Sequence, residues 1–310
     1  MKLRPWLQFF RLPNLPTAPG DALAGAAVVL LLRDASPRAA LAAGLAALFL
    51  YMYGLADNDV VGAASDAELA PERPIPRGEI SLAAAKVARS CCLFAALLTG
   101  AAVHLPPAWW LCAALLTGTV CLYNRTKNKW LMGLCRGLSV LCGTLAVLPP
   151  RFTLRAHPAE LLMSAALVLG WTSYIAAVTW LSEGEERTSG GLSPRRYLPG
   201  LAAFVPLLAS APYFLFAHPA GDPRGMGPLL FPVLGGLWAF ATWCAAVAPL
   251  GEPHGPERRR PAVGRAIGAL LYLQVGFLLL APHRALLLTA AVLWLSARLV
   301  RRYVPRISGS

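Results

Sequence analysis

The chain has 310 residues, of which 57% are hydrophobic and only 14% charged, with a formal net charge of +13 and a mean hydropathy of +0.56. Soluble domains carry about 25% charged residues, so too little polar surface is present to cover a water-soluble fold of this size. This excludes a soluble enzyme, and a nucleic-acid binder too, since that would need a soluble basic face with exposed aromatics. What remains is an all-α, polytopic membrane bundle, read here as nine to ten spans of roughly 20 apolar residues each.

Residues 1–17 come first. Lys2 and Arg4 precede apolar residues, but Arg11 and the prolines Pro5, Pro13, Pro16 and Pro19 break the stretch before any long apolar run begins. The pattern predicts an interfacial lead-in anchored by Trp6, Phe9 and Phe10, not a cleaved signal. Apolar runs then predict spans near 18–32, 38–56, 80–103, 106–123, 131–149, 159–181, 197–217, 228–249, 262–282 and 285–300. Pro106–Pro107, Pro149–Pro150 and Pro158 punctuate the turns, because proline cannot continue a helix.

Nineteen Lys and Arg residues fall in one set of alternate loops and six in the other. The positive-inside rule therefore predicts both termini in the cytoplasm, as expected of a protein of the bacterial inner membrane. The charge of +13 reads as topology plus attraction to the anionic headgroups of the lipid bilayer. Residues 1–310 form one transmembrane domain on this reading, with cytoplasmic motif loops at 57–79 and 182–196. Seven cysteines, all inside apolar runs, read as small hydrophobes in helix packing.

The second span ends in Asp57-Asn58-Asp59-Val60-Val61-Gly62-Ala63-Ala64-Ser65-Asp66, and Arg73-Pro74-Ile75-Pro76-Arg77-Gly78 follows. If the helix persists, Asn58, Gly62 and Asp66 share one face, with Asp59 beside it. Carboxylates stacked at a membrane-proximal helix end repel one another where water is scarce. A divalent cation relieves that cost, and one or two carboxylates completed by substrate phosphates is how Mg²⁺ usually binds. By spacing alone, a solvated loop with Asn and Asp at a helix end fits as well.

These residues resemble the UbiA prenyltransferase superfamily, intramembrane helical enzymes that move an isoprenyl chain from its diphosphate to a lipophilic or aromatic acceptor. The family's first motif reads NDxxDxxxD, followed by RP(I/L)PxG. Here Asn58, Asp59 and Asp66 keep their places, Gly62 replaces the middle Asp, and Arg73 to Gly78 supply the second part. Arg11-Leu12-Pro13-Asn14-Leu15-Pro16-Thr17 is also similar to the family, as is the span order over most of the chain.

The resemblance implies Mg²⁺ held by Asp59 and Asp66 from one half of the bundle. It implies a second acidic motif after span six, where Thr179, Glu183 and Glu186 fall on one helical face. Glu183 and Glu186 are the expected metal-binding and catalytic residues there, alongside Asn58, Asp59 and Asp66. Arg73, Lys127 and Arg136 are the expected diphosphate-binding cations. Their rival roles are positive-inside anchoring for Lys127 and snorkelling for Arg136. Met132-Gly133-Leu134-Cys135-Arg136-Gly137-Leu138 and Arg265-Ala266-Ile267-Gly268 also resemble the UbiA-like EboC branch. With one acidic motif missing an Asp and the other built on longer Glu side chains, a second function stays open: a catalytically degenerate protein that binds or transports a lipophilic metabolite.

Overall fold

The structure, a computed structural model, describes residues 3–32, 36–148, 158–182, 194–205, 230–251, 256–280 and 283–303. Among them are helices and no strands. They are α1 (Leu3–Phe9), α2 (Thr17–Leu32), α3 (Pro37–Val61), α4 (Ala63–Leu69), α5 (Leu82–Ala102), α6 (Pro107–Thr126), α7 (Lys129–Val147) and α8 (Pro158–Ser182). A 3₁₀ segment, Pro194–Phe204, precedes α9 (Leu230–Val247), α10 (Pro256–Leu278) and α11 (Arg284–Tyr303). Six helices among the described residues (α3, α5, α7, α8, α9 and α10) have the length and hydropathy to cross a membrane.

The order matches the predicted spans with one difference. Residues 197–204, expected to open an α-helical span, are 3₁₀. Pro199 lies inside that segment, and proline lacks the N–H that an α-helical ladder needs there. The rest of that expected span, 206–217, lies outside the described residues.

Caps explain where several helices begin. Ser36 accepts from the Arg38 amide, Ser81 from the Ala84 amide, and Asn128 from the Trp130 and Leu131 amides. Each satisfies orphan donors of a first turn. Proline at the first positions of α3 and α6 removes an N–H that would have no partner.

The innermost helices are α2 and α7. Ala22, Ala24, Ala26, Ala27, Val28 and Val29 of α2 are fully buried, and that helix packs against α3, α7, α8, α10 and α11. Alanine and glycine let these backbones approach closely, the usual basis of helix association in lipid. Glycine at 143 is required by that approach: an added Cβ would lie 1.6 Å from the Ala22 carbonyl oxygen. By contrast only 17% of the α5 span window is buried, against 67% for α7, so α5 faces the lipid. Phe94, Leu98 and Val87 stand exposed along it.

One aromatic core, with Trp171, Tyr174, Trp243 and Phe277, joins α8, α9 and α10. The Tyr174 hydroxyl donates to the Ala266 carbonyl at 2.9 Å. A second core, with Leu50, Trp109, Leu116 and Leu138, joins α3, α6 and α7. The seven cysteines are free thiols, and Cys92, Cys112, Cys135 and Cys142 are buried among these helices.

The lead-in folds back onto the bundle. Phe9 is completely buried with Ala56, Ile80 and Ala85, and Trp6 and Phe10 pack beside it. This brings Arg11 to the end of α3.

Candidate active site

Helix α3 ends at Val61 and the chain turns at Gly62, whose amide still reaches the Asn58 carbonyl at 2.9 Å. The short α4 then carries Asp66 in its first turn. The acidic motif is thus two helices meeting at a turn, not the single continued helix of the sequence expectation. Gly62 has an ordinary backbone conformation, but a Cβ there would sit 3.0 Å from the Asn58 carbonyl oxygen and 3.4 Å from Asp66 Oδ2.

The stretch from Arg73 to Ile80 is a compact loop. Its amides at Glu79 and Ile80 both donate to the Pro74 carbonyl, and the Gly78 amide donates to Ile75. Gly78 has φ of +70°, a left-handed conformation that glycine adopts without the Cβ penalty of other residues. The loop aims Arg73 back at the acidic residues. Arg73 Nη1 donates to Asp66 Oδ2 at 2.6 Å and lies 4.0 Å from Asp59 Oδ1.

Asp59 is buried, and its Oδ1 also accepts from Arg11 Nη2 at 3.2 Å and from Asn58 Nδ2 at 3.1 Å. Lys127 Nζ donates to the Asn58 side-chain oxygen. Three cations, Arg11, Arg73 and Lys127, therefore surround two carboxylates. Burial and the neighbouring Arg11 guanidinium hold the Lys127 amine below its ordinary range, with Arg73 adding to this and Asp66 opposing it. Arg11 and Lys127 both have positive φ, 46° and 56°, which costs roughly 1–2 kcal/mol for a residue with a Cβ. Such backbone strain clusters where a side chain must be held in place.

Beneath this cluster a cavity of about 80 Å³ opens between α2, α3, α6 and α7. Arg11, Asn58, Tyr123 and Asn124 line its charged end; Leu50, Leu116 and Val120 line its walls. Asp21 and Arg136 form its other polar edge. Arg136 is buried, with Nε 2.6 Å from Asp21 Oδ2. Its Nη2 donates to Asp21 Oδ1 at 3.2 Å and to the Thr17 carbonyl at 3.0 Å. Asp21 Oδ1 also accepts from Trp171 Nε1 at 2.8 Å and from Gln274 Nε2 at 2.6 Å.

The expected site residues thus fall into three groups. Asn58, Asp59, Asp66, Arg73 and Lys127 are brought together. Arg136 lies at the same cavity but is committed to Asp21. Glu183 and Glu186 lie outside the described residues.

Three participants escaped the sequence reading: Arg11, Asp21 and Asp57. Asp57 is buried beside the cavity without lining it, accepting from Asn124 Nδ2 at 2.8 Å and Arg89 Nη1 at 3.0 Å. A signal for Asp21 existed, since a carboxylate inside an apolar run demands a partner. The same holds for Arg89.

The donor set suits a divalent cation. Asp59 gives Oδ1 to arginine and asparagine, and Asp66 gives Oδ2 to Arg73, so each retains one oxygen with no hydrogen bond among the described residues. Two carboxylates beside Arg11, Arg73 and Lys127 match a hard cation that also binds phosphate. No group of three or more His, Cys, Asp or Glu residues suited to a metal occurs among the described residues, so Asp59 and Asp66 alone would supply only part of a shell.

An apolar helical bundle with such a charged cluster beside a central cavity defines a class: an integral membrane helical bundle with a polar site at one end. Residues 16–255 match the UbiA prenyltransferase family, and the chain belongs to that family. A search of curated proteins returned no match.

Among solved structures the fold is similar to a digeranylgeranylglyceryl phosphate synthase, with a TM-score of 0.56 at 16% identity over 89% of this chain and 96% of that one. It is equally similar to the apo form of a UbiA homologue from Aeropyrum pernix K1, with a TM-score of 0.56 at 17% identity over 84% and 96%. A UbiA homologue from Archaeoglobus fulgidus bound to GPP and Mg²⁺ gives 0.50 at 16% identity over 88% and 99%.

Proposed function

We propose that this protein is a Mg²⁺-dependent intramembrane prenyltransferase, transferring an isoprenyl group from a prenyl diphosphate to a lipophilic or aromatic acceptor. The observation that carries this reading is the meeting of Asn58, Asp59, Asp66, Arg73 and Lys127 in one cluster, which Asn58 and Arg11 connect to an apolar-walled cavity that they also line. The Archaeoglobus relative bound to GPP and Mg²⁺ supports the same substrate class.

Asp59 and Asp66, with Glu183 and Glu186 from the second motif, would hold the metal, which when bound neutralises charge on the diphosphate. Arg73, Lys127 and Arg11 bind and orient the phosphate oxygens. These cations stabilise negative charge as it develops on the leaving group, in a site preorganised before the reaction. The allylic C–O bond breaks, diphosphate departs with the electron pair, and the acceptor attacks the carbon left electron-poor. The acceptor then loses a proton. Leu50, Leu116 and Val120 keep water from the allylic cation.

The remaining assignments are part of this proposal. The whole chain acts as one domain, with its motif loops and termini on the cytoplasmic side of a bacterial inner membrane. Within the family it sits nearest the EboC-like branch, on the strength of the Met132–Leu138 and Arg265–Gly268 segments.

The second reading, a degenerate binder or carrier of a lipophilic metabolite, is favoured by one observation. Both described motif carboxylates are already paired with arginines, and Gly62 offers no third. One assay separates the two. Protein in bilayers is incubated with labelled prenyl diphosphates and a lipid extract, with Mg²⁺ or with chelator. Metal-dependent labelled product that disappears in Asp59→Ala supports the enzyme; tight diphosphate binding without product supports the carrier.

A further inference from the structure

A second recess lies on the outer side of α3, away from the central cavity. It has a volume of about 380 Å³, is open to the surroundings, and is formed by α3, α5 and α6. Its lining is graded along α5. Arg89 and Ser90 occupy one end, joined by Arg125 from the last turn of α6. Leu93, Phe94 and Leu97 follow, so the groove turns apolar over about 12 Å, eight residues at 1.5 Å each. Ser90, Leu93 and Leu97 fall on one helical face.

The charged end is the same end of the bundle as Asp59 and Asp66, since α5 starts just after the motif loop and α6 finishes beside it. It lies about two turns in from the start of α5 at Leu82 and at the last turn of α6, near one end of the spanning helices. Within it, Asp57 engages Arg89 through Nη1 alone. Arg125 is exposed, bonds only its own helix at the Cys121 carbonyl, and has no carboxylate partner among the described residues. The groove thus carries two guanidinium groups against one carboxylate.

We infer that this groove is a binding site for one anionic phospholipid of the bilayer, its phosphate held by Arg125, Arg89 and Ser90 and an acyl chain lying along Leu93, Phe94 and Leu97. Guanidinium groups suit phosphate through paired, charge-assisted hydrogen bonds, and basic pockets between spanning helices bind lipid headgroups in this way. Phe94, at 67% exposure, is the side chain the lipid tail covers. The site is separate from the prenyl cavity and does not depend on the enzyme reading.

The test is native mass spectrometry of the full chain released from mixed micelles of phosphatidylglycerol and phosphatidylcholine. Wild type keeps one phosphatidylglycerol with a preference of at least about tenfold, the scale of a charge-assisted phosphate contact. Arg125→Gln removes the charge, and Ser90→Trp fills the groove while leaving both arginines in place; each brings the preference to within about twofold. Arg298→Gln, on α11 and outside the groove, leaves it unchanged. Equal retention of the two lipids by wild type overturns the inference, as does a preference that survives both groove variants. Displacement of the lipid by excess inorganic phosphate would mark a site for free anion and overturn it as well.

Discussion

One guanidinium spans the two motif carboxylates: Arg73 Nη1 stands 2.6 Å from Asp66 Oδ2 and 4.0 Å from Asp59 Oδ1. The Arg73–Gly78 loop and the Asn58–Asp66 turn are therefore one electrostatic unit, which accounts for their occurrence together in sequence. If the proposed diphosphate binds here, it meets cations that are already in place, so little reorganisation would accompany departure of the leaving group.

Arg73→Ala is expected to lower kcat/KM for the prenyl diphosphate by about 10²-fold, the usual loss when one preorganised donor to a developing anion is removed. Arg73→Lys keeps the charge but not the span between two carboxylates, and recovers only part. Steady-state kinetics in detergent or nanodiscs checks both.

Lys127 yields a pH signature. In the proposed function its charged form binds phosphate, and its amine is held below the ordinary value of 10.5 by burial and by Arg11. As pH rises through that lowered pKa the positive charge is lost, so kcat/KM declines on the alkaline side earlier than a free lysine would allow. Lys127→Arg, always charged, moves the decline to higher pH. A profile identical in the two proteins removes Lys127 from substrate binding.

The Asp21–Arg136 pair predicts a stability pattern. Arg136→Met leaves Asp21, fully buried, without its counter-ion and should cost about 3–5 kcal/mol. Replacing both groups, as Asp21→Leu with Arg136→Met, removes the uncompensated charge and recovers most of that loss. Thermal unfolding in detergent reads the difference; equal destabilisation in single and double variants contradicts the pairing.

Two glycines make a contrasting test of helix contact. Gly143→Ala places a Cβ 1.6 Å from the Ala22 carbonyl oxygen, forcing α2 and α7 apart at a cost of at least about 1–3 kcal/mol. Gly118→Ala meets nothing within 4 Å and should stabilise α6 by up to about 1 kcal/mol. The same unfolding measurement separates them.

The spans were legible because the bilayer imposes length and hydropathy on each one separately. Asn58, Asp59, Asp66 and Arg73 were legible because their spacing is local. What the sequence hid was pairing at distance: Arg11 with Asp59 is 48 residues apart, Asn124 with Asp57 is 67, and Gln274 with Asp21 is 253. No periodicity links such partners; only tertiary packing does, of the lead-in on α3, of α6 on α3 and of α2 on α10. Arg136 shows the consequence. A lone charge inside a span in the sequence, it lies at the cavity with a carboxylate 2.6 Å away in the bundle. The 3₁₀ turn at Pro194–Phe204 was missed for another reason: an apolar run around Pro199 satisfies hydropathy without satisfying the helical ladder.

The most direct measurement is the affinity of the full-length protein for geranyl diphosphate by titration calorimetry, with Mg²⁺ and with chelator, in wild type and in Asp59→Ala/Asp66→Ala. If these carboxylates share a metal with the diphosphate, Mg²⁺ tightens wild-type binding by about tenfold or more, and the double variant loses that gain while still folding. Binding that is indifferent to Mg²⁺, and unchanged when both carboxylates are removed, contradicts the account.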